Sequence, residues 1–161
     1  MDVRQYIIDT FYYNDYANKL VLKKVEKLDD KVECVKFFSH LINSMNKWLA
    51  RIENSPGYEK LDWWKPVYQF EDLEARWDEC LSRWLTFIES KTEDELHEQI
   101  TWYGPYGREL RVHMGAAIKD IAIQLCYHSI HHVGQIQYLI RQQGVTPPFV
   151  DYIGTKMKPV E

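Results

Sequence analysis

The chain has 161 residues, and its 24 acidic and 20 basic side chains give a formal net charge of −4 with neutral histidines. A chain of this length can fold around one core, so we expect a single domain over residues 1–161 that needs no metal for stability alone. Its mild acidity argues against a nucleic-acid-binding protein, which usually carries a basic face. No window approaches the roughly 18 consecutive apolar residues of a membrane span, and no signal peptide is evident. We therefore expect a cytoplasmic protein without nucleic-acid or membrane partners.

The three cysteines, Cys34, Cys80 and Cys126, lie in separate segments without C-x-x-C spacing. This pattern predicts neither a disulfide framework nor a thiolate zinc site. We expect these side chains to be small apolar residues in a reducing compartment.

Four segments show the three- and four-residue spacing of an amphipathic helix. They run approximately over residues 3–28, 31–53, 71–91 and 115–144. Asp30 followed by Glu33 predicts a capping box at the start of the second helix. Gly144, followed by Pro147 and Pro148, predicts the end of the fourth.

The period changes between Leu96 and Met114. There Leu110 and Val112 alternate with polar residues after the turn-like segment Gly104–Gly107, which predicts a short hairpin. Four long amphipathic segments without repeated strand–helix alternation predict an all-α fold. The expected architecture is a four-helix bundle with a short hairpin or irregular segment before the last helix.

Two histidines, His128 and His132, occupy apolar-stripe positions of the fourth predicted helix. Residues four apart share a helix face, so both imidazoles can offer nitrogens to one ion. A histidine on such a stripe is more often a hydrogen-bonded core residue, and H-x-x-x-H spacing is common by chance. Two neutral imidazoles facing each other in an apolar interior leave polar groups unsatisfied, however, and a divalent cation resolves that problem. His131 lies about 100° around the helix from His132 and is a weaker ligand candidate.

A metal site at this position needs at least a third protein ligand from another segment. The candidates are His40, His97 and His113, with carboxylates in reserve. Only His40 lies in a predicted helix, but it falls beyond the edge of that helix's apolar stripe. The other two lie in the hairpin region, where exposed polar side chains are usual. Spacing alone leaves this choice open.

Two stretches carry a family resemblance: Tyr127–Ile136 with the downstream Gly144, and Phe38–Leu41 with the downstream Trp48. They resemble the signature of the DinB/YfiT-like family of metalloenzymes, and the resemblance covers nearly the whole chain in the right order. The family usually has arginine where this chain has Val133, so any role of that arginine is not carried over.

The resemblance implies a four-helix bundle in which His40, His128 and His132 bind a divalent metal, zinc or nickel among family members. It also implies a homodimer, which is common among relatives. Asn14, His131 and Gln135 are further candidates, either to support a ligand or to contact the substrate.

Three neutral histidines would leave a bound ion its double charge and an open position for water or substrate. Such a site suits either hydrolysis by activated water or attack by an activated small thiol on an electrophile. Relatives include thiol-dependent transferases, so we expect a small-thiol-dependent S-transferase, with the thiol as co-substrate, or a metal-assisted hydrolase of a small molecule. A zincin protease is disfavoured because Ser129 stands where H-E-x-x-H has its glutamate, and no general base is identified.

The alternative is a non-enzymatic module in which the metal staples a helical bundle for dimerisation or binding. A fourth ligand from Cys126, Asp151 or the C-terminal carboxylate would favour this alternative, because structural zinc sites are closed by four protein ligands.

Overall fold

A computed structural model describes residues 2–160 of the chain. Within that range the protein is mostly helical, with five α-helices and one small antiparallel sheet. The elements are α1 (Val3–Val25), α2 (Val32–Ile52), α3 (Leu73–Glu89), α4 (Glu93–His97), β1 (Gln99–Tyr106), β2 (Glu109–Ala117) and α5 (Ile118–Gln142). The mostly helical fold and the hairpin before the last helix agree with the sequence-based prediction. None of these helices combines the length and the apolar character that crossing a bilayer requires.

The four long helices share one apolar core. α1 packs against α5 and α3, and α2 packs against the same two helices. In the middle of the core, Trp84 is fully buried and its ring stacks on Phe11 at 5.7 Å between centroids. Its indole N–H donates to the backbone carbonyl of Met45 at 3.0 Å. Burial of these apolar stripes is what stabilises the helices, because most helical stability in proteins comes from the tertiary packing of an amphipathic face.

The start of α2 differs from the prediction. Asp30 and Glu33 do not form a capping box; Asp30 Oδ1 accepts a hydrogen bond from the N–H of Val32 at 3.0 Å instead. Glu33 pairs with Lys36, one turn along the exposed face. The predicted helix boundary is nevertheless correct to within a residue, because the Asp30 contact satisfies one of the free N–H groups at the helix start.

The start of α5 also lies later than predicted. Gly115 belongs to β2, where it pairs with Thr101, and the ladder continues to Ala117. Helix α5 therefore begins at Ile118, after the last paired residue. Its end agrees with the prediction: Gly144 has φ +75°, the left-handed conformation that follows many helices.

Sequence reasoning missed the short helix α4. Thr92 Oγ1 accepts from the N–H of Glu95, and the Glu95 carboxylate accepts from the N–H of Thr92, which is a complete capping box. Leu96 is fully buried and anchors this turn to the core. The helix leads directly into the hairpin, which places Trp102 of β1 against Trp48 of α2 at 5.1 Å between ring centroids.

Candidate metal centre

Three imidazoles meet where α2 packs against α5. His40 comes from α2, and His128 and His132 come from α5. Nε2 of His128 lies 3.1 Å from Nε2 of His40 and 3.0 Å from Nε2 of His132. The structure therefore brings together the three histidines implied by the family resemblance, with the same ring nitrogen of each turned toward a common centre.

The opposite nitrogens fix the tautomers of two of these rings. Nδ1 of His40 lies 2.7 Å from the backbone carbonyl oxygen of Trp63, and Nδ1 of His132 lies 2.5 Å from Oε1 of Gln135. Because both oxygens only accept hydrogen bonds, both Nδ1 atoms carry the proton and donate. In the neutral imidazole, Nε2 of His40 and of His132 then presents a lone pair to the centre.

Hydrogen bonds alone do not satisfy the three Nε2 atoms of this arrangement. Nε2 of His128 faces two lone pairs, and a single N–H on that atom can satisfy only one of them. The lone pair at the other contact, about 3 Å away, then faces no hydrogen-bond donor. Nitrogens about 2.0–2.1 Å from a zinc-like ion lie about 2.9–3.4 Å apart for ligand angles between octahedral and tetrahedral values. The two distances that involve His128 match that range, and all three ligand atoms lie within 4.8 Å of one another, so the three side chains could hold a divalent ion.

All three rings are held in the neutral form that metal ligation needs. Burial lowers the pKa of His40 and of His132, and it lowers that of His128 to about 4. The neighbouring imidazoles, including His131, add to the effect on His128. At neutral pH none of the three rings has to lose a second proton before a cation binds.

The connection after α2 forms one wall of the site. The ring of Trp64 stacks on His40, with 3.8 Å between centroids and 9° between planes. Asp62 shapes this loop, because its Oδ1 accepts from the backbone N–H groups of Trp64 and Lys65 at 2.7 and 3.0 Å. On the other side, the ring of Phe37 lies 5.0 Å from that of His132.

Two polar residues of α2 hold the same loop in place. Asn43 Nδ2 donates to the carbonyl of Pro66 at 3.0 Å, and Ser39 Oγ accepts from the N–H of Tyr68 at 3.0 Å. Both side chains are buried. Sequence reasoning treated this aromatic connection as irregular and did not predict that it packs against His40. The sequence pattern that could have indicated an ordered turn here is Asp62-x-Trp64.

A model of the DinB family matches residues 32–159. The chain belongs to the DinB family. The matched region contains all three histidines of the centre, and the match confirms the resemblance seen in the sequence. Searches among curated proteins and among solved structures gave no match.

The other candidate residues of this DinB protein lie at different distances from the centre. Gln135 contacts His132 directly through the hydrogen bond described above. His131 is exposed, with its ring 5.1 Å from that of His132, and it does not join the cluster of ligand atoms. Asn14 is buried in α1, where its Nδ2 donates to the carbonyl of Thr10 at 3.1 Å and its Oδ1 has no partner within residues 2–160. Its hydrogen bond thus stays within α1.

The remaining histidines lie outside the DinB centre. His97 Nδ1 bonds to the carbonyl of Glu93 at 2.8 Å, and His113 stacks on Tyr103 in the hairpin at 4.8 Å between centroids. Both are exposed, as expected for residues in this region.

No fourth ligating side chain joins the three histidines within residues 2–160. Cys126 is buried, which raises the pKa of its thiol to about 12. Asp151 is exposed and outside the cluster. The C-terminal carboxylate belongs to Glu161, which lies outside the described residues. The described donor set is therefore three neutral histidines.

A pocket of about 540 Å³ adjoins the centre in the groove between α2 and α5. It shares Phe37 and Gln135 with the surroundings of His132. Its lining is mainly apolar and includes Tyr138 and Leu139, with Glu33 at one side. The volume lies within the range of pockets that hold small molecules.

Proposed function

We propose that this DinB protein is an enzyme in which His40, His128 and His132 bind one divalent transition-metal ion, zinc or nickel. The observation that carries the proposal is the convergence of three Nε2 atoms, with the tautomers of His40 and His132 set by Trp63 and Gln135. When bound, such an ion supplies the Lewis acidity that favours the deprotonated form of water or of a thiol at neutral pH. We place the site in a single-domain four-helix bundle formed by α1, α2, α3 and α5.

Three protein ligands favour catalysis over a purely structural role. Structural zinc sites are closed by four protein ligands, whereas catalytic sites keep a position open. Within residues 2–160 nothing completes a fourth position. A pocket of about 540 Å³ lined by Phe37, His131 and Gln135, which neighbour His132, provides room for a small molecule near the centre.

Of the two chemistries, we favour thiol transfer over hydrolysis. Hydrolytic sites of the H-E-x-x-H type use a glutamate base beside the ion. Here that position is Ser129, whose Oγ accepts a hydrogen bond from Asn18 at 2.7 Å, and Glu33 in the pocket is paired with Lys36. A thiolate needs no further base: its sulfur forms a bond to the electrophilic carbon while the leaving group departs with the bonding electrons.

The pocket has the lining that an apolar electrophile needs. Phe37, Tyr138 and Leu139 offer apolar surface, and the amide of Gln135 and the imidazole of His131 offer polar contacts at the edge. We therefore propose a small thiol as co-substrate and a small, partly apolar electrophile as substrate.

Metal analysis of the purified protein tests the triad directly. We expect about one divalent ion per chain, and its loss in His40→Ala and in His128→Ala, because removing one of three ligands lowers affinity by orders of magnitude. His97→Ala is the matched control, since His97 is exposed and lies outside the centre. Full metal retention in His40→Ala would refute the triad.

Turnover assays then separate the two chemistries. We expect the metal-loaded protein to transfer glutathione, bacillithiol or another small thiol to an electrophile, and the chelated protein to lose this activity. Thiol-independent cleavage of an ester or amide would assign hydrolysis instead.

The second candidate is a non-enzymatic dimerisation module in which the metal only stabilises the helical bundle. Exposed tyrosines on the outer faces of α1 and α5, among them Tyr12, Tyr16 and Tyr127, offer an aromatic surface that suits a homodimer. In that case chelation lowers the thermal midpoint or dissociates the dimer, and no thiol or hydrolytic turnover accompanies metal loading. Sedimentation velocity with and without metal measures the assembly.

A further inference from the structure

A second pocket, of about 610 Å³, lies between the hairpin and the C-terminal half of α2. It is about two helical turns along α2 from the metal centre, and none of its lining residues belongs to the triad. Its walls are unusually rich in indole rings, contributed by Trp48, Trp63 and Trp102.

Three cationic side chains line this pocket without ion-pair partners. Lys47 and Arg51 are one turn apart on α2, and Arg111 extends from β2. None of the ion pairs found within residues 2–160 includes any of the three. Glu59 is the carboxylate at the pocket wall. The pocket therefore carries a net positive charge in a chain whose overall charge is −4.

Two of these cations are withdrawn from water. Lys47 is only 8 % exposed, and its ammonium group donates to the carbonyl of Leu61 and lies 4.6 Å from the ring centroid of Trp63. The guanidinium carbon of Arg51 lies 4.6 Å from the ring centroid of Trp48 and 5.2 Å from that of Trp102. Nε of Arg51 is buried and has no hydrogen-bond partner in the part of the chain that the structure describes.

Ring faces compensate such cations only in part. The attraction between a cation and an aromatic face is smaller than the cost of burying a charge without a counter-charge. Burial lowers the pKa of Lys47 and of Arg51, and the charge of Arg51 lowers that of Lys47 further, while the charge of Asp62 offsets part of the effect on Lys47. An anion between the two would relieve both effects.

We propose that this pocket binds a small organic anion. Its carboxylate or phosphate group pairs with Lys47, Arg51 and Arg111. Its planar apolar part lies against the indole rings of Trp63 and Trp102. The volume of about 610 Å³ fits one small molecule rather than a polymer.

Binding of indole-3-acetate and of neutral indole-3-acetamide, measured by isothermal titration calorimetry, tests the charge requirement. The two probes share one ring system and differ in the carboxylate. We expect the acetate to bind at least about tenfold more tightly, as a charge-assisted contact to a buried cation requires. Equal affinities, or no saturable binding of either probe, would overturn the proposal.

The same titrations on zinc-loaded and on chelated protein separate this pocket from the metal centre. We expect the same acetate affinity in both. Loss of acetate binding on chelation would show that the carboxylate binds at the metal instead, and would overturn the proposal while leaving the triad intact.

Substitution of the arginines locates the site. Arg51→Met and Arg111→Met each keep an apolar stem and remove the charge, and we expect each to weaken acetate binding by about tenfold or more with little effect on the acetamide. Arg111 is exposed, so its variant keeps the fold. Arg76→Met is the matched control, because Arg76 also lies over an aromatic ring, that of Tyr68 at 5.3 Å, but outside the pocket. Unchanged acetate binding in both pocket variants, or an equal loss in Arg76→Met, would contradict the assignment.

Discussion

The backbone carbonyl oxygen of Trp63 accepts a hydrogen bond from Nδ1 of His40, with 2.7 Å between the two atoms. The contact turns Nε2 of His40 toward His128. The ring of the same Trp63 lies over the ammonium group of Lys47 in the second pocket. One loop residue thus orients a proposed metal ligand through its backbone and lines the proposed anion pocket through its side chain.

The first prediction concerns Asp62, which shapes this loop by accepting from two backbone N–H groups. We expect Asp62→Ala to weaken the hydrogen bond between His40 and the carbonyl of Trp63. Zinc affinity should then fall by about tenfold, the lower end of the range for substitution of a residue that supports a metal ligand. Competition with a chromophoric chelator measures the affinity. Asp62→Asn keeps an acceptor oxygen at this position and should retain most of the affinity. Equal losses in the two variants would assign the effect to charge rather than to loop shape.

The second prediction concerns Gln135, whose Oε1 accepts from Nδ1 of His132 at 2.5 Å. Gln135→Leu removes this acceptor, so His132 is free to adopt the tautomer that places its proton toward the centre. We expect zinc affinity to fall by about 10–100-fold. Gln135→Glu keeps an acceptor and should bind nearly as tightly as the parent protein. His131→Ala is the control on the same exposed face, and an equal loss there would contradict the assigned role.

Helical periodicity was sufficient to predict most of the fold. The apolar stripes of α2 and α5 placed those helices to within about three residues, because most positions of each stripe are buried in the core. Helix α4 was missed although Thr92 and Glu95 match the sequence pattern of a capping box. A helix of little more than one turn is too short to show a helical period of apolar residues.

The candidate site was less accessible to sequence reasoning. His40 lies beyond the edge of the apolar stripe of α2, yet it is 7 % exposed, because Trp64 covers it from a loop without regular structure. Only the family resemblance singled out His40. The cluster around Arg51 was not foreseen at all, since it depends on how the hairpin carries Trp102 across α2, a long-range contact that local patterns do not encode.

The third prediction concerns the cysteines. Burial raises the pKa of Cys34 to about 11 and that of Cys80 and Cys126 to about 12. Because the thiolate is the reactive form, we expect no reaction of the native protein with a disulfide reagent at about pH 8, and three thiols per chain in denaturant. Ser90→Cys, at an exposed position, is the positive control and should react at once. Rapid reaction of one thiol in the native parent protein would show that a cysteine is accessible and activated.

The last prediction concerns the pH dependence of stability in the metal-free protein. Burial lowers the pKa of all three triad histidines, to about 4 for His128, from an ordinary value of 6.5. Between these values the unfolded chain binds more protons than the folded chain, so the free energy of unfolding must fall as the pH drops from about 6.5 towards 4. Above about pH 6.5 the contribution is complete, because the histidines are then neutral in both states.

Urea unfolding of the chelated protein at about pH 7 and about pH 5 measures this loss of stability. His128→Gln removes one titrating group from the centre and keeps a polar side chain, so its stability should change less between the two pH values than that of the parent protein. His97→Gln removes an exposed histidine outside the centre and should leave the parent's pH dependence unchanged. If His128→Gln and the parent lose equal stability on acidification, the proton uptake comes from groups other than His128, which contradicts the strongly lowered pKa of that ring.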